Sequence, residues 1–191
     1  MSADQEESMA LIEPILQILH DSLYNGMGFY KDSKNYSAAA AAQQRDRTAA
    51  GCVNDHAFHS LREALEGQAG CRFPSIRGLE VLDHKGKALI RIKKVNGAGR
   101  GRNATTQQQI DYDAQLPLPG LPPKAIRLVA GYQADPAFNS VQRVIISAPL
   151  GKTISWAAQV VILEGATSWV DITPPRFAGT ENTDFAQRRG T

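Results

Sequence analysis

GLEVLDHKGKALIRIKKV, residues 78–95, decides how this chain is read. Before Gly78 the apolar residues recur at helical spacing; after it they alternate every second position, the period of a strand with one buried face. The tripeptide His84-Lys85-Gly86 separates two such runs, so the stretch reads as an antiparallel hairpin. In the second run Ile90 and Ile92 share one side, and Leu89, Arg91, Lys93 and Val95 share the other. The expectation is a ribbon with apolar residues inward and cations outward. From Asp83 to Arg102 there are seven Lys or Arg side chains and one acid. On a chain whose formal charge is only +2, that local excess points to a polyanionic partner, with nucleic acid the commonest.

Upstream, residues 8–24 place Leu11, Ile12, Ile15, Leu16, Leu19 and Leu23 at helical spacing, with Pro14 expected in the first turn and Gly26 and Gly28 expected to end the pattern. An alanine run follows, then a second helix over residues 48–67 with Val53, Ala57, Leu61, Ala64 and Leu65 on one side. Downstream, residues 96–106 read as a flexible glycine loop. TTQQQIDYDAQ (105–115) reads as a short helix ended by the prolines of LPLPGLPP. Three strand-like runs come next, over residues 125–133, 140–148 and 153–163, separated by turn-compatible segments. The fold class expected is α+β: N-terminal helices packed on a largely antiparallel sheet of about five strands, with one inserted helix. Residues 1–47 form the N-terminal helix and alanine-rich connector, 48–170 the α+β core, and 171–191 a loosely ordered tail.

Composition sets wider bounds. A chain of 191 residues that is 42% apolar can build one domain with a real core. No run approaches the roughly 18 apolar residues of a membrane-spanning helix. The N-terminus, MSADQEES, is acidic where a secretory signal is basic. Cys52 and Cys71 stand apart with no CxxC, which predicts free thiols in a reducing, cytoplasmic setting.

CVNDHAFHSLREAL, RIKKV, TTQQQIDYDAQLPLPGLPP, IRLVAGYQAD and VIISAPLGKTISWA follow one another in an order that resembles a group of small bacterial proteins. That family carries an Asn-Asp helix, a Phe-Lys-Lys strand, a Thr-x-Gln segment running into Pro-Leu-Pro-Gly, a Gly-Tyr strand and a Cys-Pro-Asn-Gly turn. The likeness covers about residues 50–158, and this chain departs from it at its Ala-Pro-Leu-Gly turn and alanine run. Its members are often encoded beside a helix-turn-helix protein fused to an IrrE-like metallopeptidase. The resemblance therefore implies a toxin–antitoxin or phage-defence setting, and it brings no catalytic residue with it.

Two functional readings stay open. The first is a non-enzymatic interaction protein that binds a protein partner or nucleic acid through the basic hairpin, with Lys87, Arg91, Lys93, Lys94, Arg100 and Arg102 as contacts and no cofactor. The glycines around Arg100 and Arg102 let the backbone follow a phosphate chain. Tyr112 and Tyr132 are candidate stacking platforms, with core packing as the competing role. The alternative is a metal-dependent or degenerate nuclease similar to the PD-(D/E)xK proteins, with Asp83 and Lys93 catalytic, Gln108 and Tyr112 in support, and Mg²⁺ as cofactor. Against it, Arg91 stands where the second carboxylate belongs, and an arginine repels magnesium.

Weaker signals complete the reading. His56 and His59 with Asp55 lack a third metal ligand, and Cys52 with His56 more often packs than reacts. Ser147 and Ser155 lack a nucleophile elbow, and the glycines of residues 97–101 lack the lysine of a nucleotide loop. Gly131-Tyr132 marks a bulge or a tight contact.

Overall fold

The computed structural model describes residues 2–76, 78–101 and 106–175, and the side chains of residues 34–36 and 40 stand outside the description. The chain begins with α1 (Ala3–Tyr36), α2 (Ala38–Ala42) and α3 (Asp46–Leu65). Ser2 caps α1 by accepting from the Gln5 amide, and Asp4 and Glu6 complement the positive end of the helix. α1 is far longer than its apolar pattern predicts. Pro14 lies well inside it, on the exposed side, and Gly26 and Gly28 do not end it. Gly26 has a packing reason. A Cβ there would lie 2.6 Å from the Ala57 Cβ and 2.7 Å from the Val53 carbonyl oxygen, so the missing side chain lets α1 and α3 approach closely. The expected stop is a helix–helix contact.

The strands follow in chain order: β1 (Cys71–Arg72), β2 (Ser75–Ile76), β3 (Leu79–Glu80), β4 (Leu82–His84), β5 (Ala88–Lys94), β6 (Ile126–Ala134), β7 (Val141–Leu150), β8 (Thr153–Leu163) and β9 (Ala166–Asp171). Seven form one sheet in the order β1-β4-β5-β6-β7-β8-β9, and β2 pairs with β3 in a separate ribbon. The α+β class stands; the strand count exceeds the expected five. β1 and the β2–β3 ribbon are too short to show an alternation. β9 returns through Glu164-Gly165, both at positive φ, without the Asn-Gly or Asp-Gly pair that usually signals such a turn. The hairpin from β4 to β5 is as expected, with Lys85 and Gly86 both at positive φ. Pairing is antiparallel everywhere in the large sheet except between β5 and β6. Those two run parallel because the chain crosses over through α4 (Gln107–Asp113) before re-entering the sheet.

The sheet therefore has two covered faces. Ile90, Ile92, Leu128, Tyr132, Ile146 and Trp156 meet α1 and α3 in the larger core. Leu89, Val95, Val129, Ile145 and Ala157 meet Tyr112 of α4 with Leu118 and Leu121 of the proline segment in a smaller one. The outward cationic face of β5 expected from alternation is thus largely roofed. The N-terminal helix packs into this core, contacts continue to residues 171–173, and residues 176–191 of the expected tail lie outside the described residues. Asp171 accepts from Gln5 Nε2 at 3.1 Å, and the Ile172 amide donates to the Ala157 carbonyl at 2.9 Å.

Candidate functional site

Tyr112 fixes α4 to the sheet. Its ring is fully buried, and its hydroxyl lies 2.6 Å from the Leu89 carbonyl and 2.7 Å from that of Leu128, on the adjacent parallel strands β5 and β6. Burial pushes the phenol far above its ordinary range, so it stays a neutral donor. Tyr132 is equally buried, on the opposite face, and its hydroxyl reaches the Ala50 carbonyl. Both rings pack; neither is a stacking platform.

Around Tyr112 the α4 face gathers polar groups. The Arg91 guanidinium lies 5.3 Å over the Tyr112 ring and donates to Gln109 Oε1, while Gln109 Nε2 donates to Asp113 Oδ1 at 2.6 Å. The Asp113 carbonyl accepts from the Gly151 amide at 2.7 Å, tying α4 to the β7–β8 turn. Lys93 shares this side, half-buried. Burial first, and then the Arg91 charge, lower its pKa to about 8, against the pull of Asp113 and Asp55. Burial also lowers the pKa of Arg91, yet a guanidinium remains charged at neutral pH.

The other expected cations are dispersed. Lys94 points to the opposite face, with Nζ 4.0 Å over the Phe138 ring and 3.9 Å from Asp46. Lys87 is exposed beside the β4–β5 turn, at the far end of β5. Arg100 is exposed on the α4 side, and Arg102 lies outside the described residues. Lys94 therefore does not join Arg91 and Lys93, because a strand sends neighbouring side chains to opposite faces.

The nuclease arrangement is not assembled. Asp83 is 1% exposed, ion-paired to Arg72 at 2.5 Å, and accepts the Gly86 amide at 2.9 Å. It stands opposite Leu89, four residues before Lys93, so roughly 13 Å of strand separates the two positions. Gln108 turns away and donates to the Ile76 carbonyl. Among the described residues no group of three His, Cys, Asp or Glu side chains could hold a metal ion. His56 stacks on Phe29 and His59 pairs with Glu63. Cys52 packs against the larger core, and Cys71 Sγ lies 3.6 Å from His84 Nδ1 across β1 and β4, with burial raising its pKa.

The glycine loop is a built element over residues 96–101. Asn96 Oδ1 accepts the amides of Ala98 and Arg100, the Gly99 amide donates to the Asn96 carbonyl, and the Gly99 carbonyl accepts Ser147 Oγ at 2.8 Å. Gly99 has φ +82, and a Cβ there would press within 3.1–3.2 Å of Ile145, Ser147 and Ala157. Glycine is needed here to seat the loop on the sheet. Gly131 marks the tight contact expected, since its Cβ would strike the Val95 side chain at 2.5 Å. The bulge lies further on, between Gln133 and Ala134.

Between this loop, α4 and the β7–β8 turn opens a cleft of about 510 Å³. Arg100 and Lys152 enter it from different walls, Gln109 and Asp113 from α4, with Val129 and Ile154 among its apolar lining. The sequence gives no signal for Lys152, Gln109 or Asp113 as a group, since only the fold brings them together. Nor does it mark Arg127. That residue is 2% exposed, with Nη1 on the Gln115 and Ala125 carbonyls, while Nε and Nη2 have no hydrogen-bond partner. Gln115, at φ +60, completes a clip by bonding the Arg127 amide and the Arg127 and Pro149 carbonyls. No helix among the described residues is long and apolar enough to cross a membrane. No protein-family model, curated protein or solved structure matches the chain.

Proposed function

We propose that this protein is a non-enzymatic binding module, acting in the bacterial cytoplasm within a toxin–antitoxin, phage-defence or counter-defence pair, and that its partner is nucleic acid. The observation that carries the reading is a set of four cations on the α4 side of the sheet: Arg100 and Lys152 line one open cleft, and Arg91 and Lys93 share the same face of β5, with Arg91 bonded to the cleft-lining Gln109. Those side chains give a phosphate chain several positive contacts, and their counterion release makes binding salt-dependent. The setting rests on the resemblance over residues 50–158. The engagement of Asp83 by Arg72 and Gly86 disfavours the magnesium nuclease.

The test is fluorescence anisotropy of labelled DNA and RNA over a salt series, with magnesium present and with chelator. The expected result is binding that weakens steeply with salt, ignores magnesium, and falls when Arg91 and Lys93 are both replaced by alanine. Magnesium-dependent cutting that Asp83→Asn abolishes overturns the reading in favour of the nuclease. Absence of both binding and cutting leaves a protein partner.

A further inference from the structure

The cleft's chemistry narrows the kind of nucleic acid. Its volume of about 510 Å³ lies within the roughly 300–1,000 Å³ of small-ligand clefts, too small for the ridge of a duplex backbone and ample for a single nucleotide. Its polar groups are of two kinds. Arg100, on the hydrogen-bonded 96–101 loop, and Lys152, on the β7–β8 turn, supply positive charge and no acceptor. Gln109 and Asp113, on α4, present amide and carboxylate oxygens that already accept from Arg91 and from the Gln109 amide, and each such oxygen has a second lone pair for a further donor. A carboxylate repels phosphate, so the α4 wall suits the amino and imino edge of a base, while the two cations suit the phosphate beside it. Val129, Ile154 and Pro149 offer apolar surface for the base's flat face.

Resting on the nucleic-acid reading above, we infer that the cleft holds one unstacked nucleotide of a single strand, its phosphate between Arg100 and Lys152 and its base against Gln109 and Asp113. Gly101 adds no side chain at the cleft wall, which leaves room for the strand to pass over the loop. Among the described residues no aromatic ring lines the cleft, so stacking adds less than in the usual single-strand platforms. The loop needs no folding on binding, because Ser147 and Asn96 already hold it.

The experiment compares a short labelled single strand with a duplex of matching length, for the native protein and for two variants that fill the cleft from different walls, Ala114→Trp and Thr153→Trp. Thermal unfolding checks that each variant folds, and Arg100→Ala with Lys152→Ala provides a third probe that adds no bulk. The single strand is expected to bind about tenfold tighter than the duplex. Each cleft-filling variant is expected to weaken single-strand binding by about tenfold while leaving residual duplex binding unchanged. If the filled variants bind single strands as well as the native protein, or the duplex binds equally well, the cleft assignment is overturned and the broader nucleic-acid reading survives. If neither oligonucleotide binds, the broader reading itself has failed.

Discussion

The two faces of the sheet are built on different principles. Against α1 and α3 the sheet presents a broad apolar surface in which side chains interlock and one close approach, at Gly26, demands the absence of a side chain. Against α4 the apolar core is smaller, and a buried tyrosine, an arginine–glutamine–aspartate chain and a half-buried lysine lie beside an open cleft. The first arrangement maximises area removed from water. The second keeps charge close to the sheet, where its desolvation costs stability. On the proposed function, the helical face is the structural support and the α4 face the working surface.

The largest effect is expected on the helical face. Leu61→Ala removes a fully buried side chain of α3, and urea unfolding should show a loss of about 2–5 kcal/mol. Polyanion affinity, measured where the variant remains folded, should be unchanged. A fall in affinity as large as that from Arg91→Ala would erase the distinction between the faces.

Next comes the latch between them. Tyr112→Phe keeps the ring but removes the hydroxyl that lies within hydrogen-bond distance of two buried carbonyls, which should cost about 1–3 kcal/mol. Because α4 positions Gln109 and Asp113, binding should weaken as well. Unchanged stability in Tyr112→Phe contradicts the latch.

A smaller and oppositely signed effect belongs to Lys93. Its pKa is lowered from the ordinary 10.5 to about 8, so between those values the unfolded chain holds the proton that the folded chain releases. Stability from this group therefore rises with pH across that window, and its burden is fully present below pH 8. Lys93→Met should stabilise the protein by about 1 kcal/mol at pH 7, a figure reduced for the group's partial exposure, with the advantage gone above pH 10.5. Thermal melting of both proteins across that range reads the difference directly. A gain that does not vary with pH assigns the effect to packing alone.

Much of this architecture is legible from local pattern. The β4–β5 hairpin, the short helix α4, and strands β6, β7 and β8 follow from alternation and turn chemistry within windows of a few residues. What escaped depends on distant partners. Gly26 reads as a helix stop until Ala57 is placed against it, and β9 is hidden by its Glu-Gly turn. Alternation separates Arg91 and Lys93 from Ile90 and Ile92, but it does not announce that α4 will roof the cationic side. It does place Lys94 with the isoleucines, a consequence that the excess of positive charge in the sequence obscures. The cleft joins residues 99–101, 109–114 and 147–154, which only the crossover and the β7–β8 turn bring together.

Hydrogen–deuterium exchange with and without a short single-stranded oligonucleotide tests the division of labour most directly. The account predicts slower exchange on binding in residues 96–101, 107–114 and 150–154, with α1 and α3 unchanged. Protection confined to α1 and α3, or none on the α4 side when the oligonucleotide is bound, would contradict it.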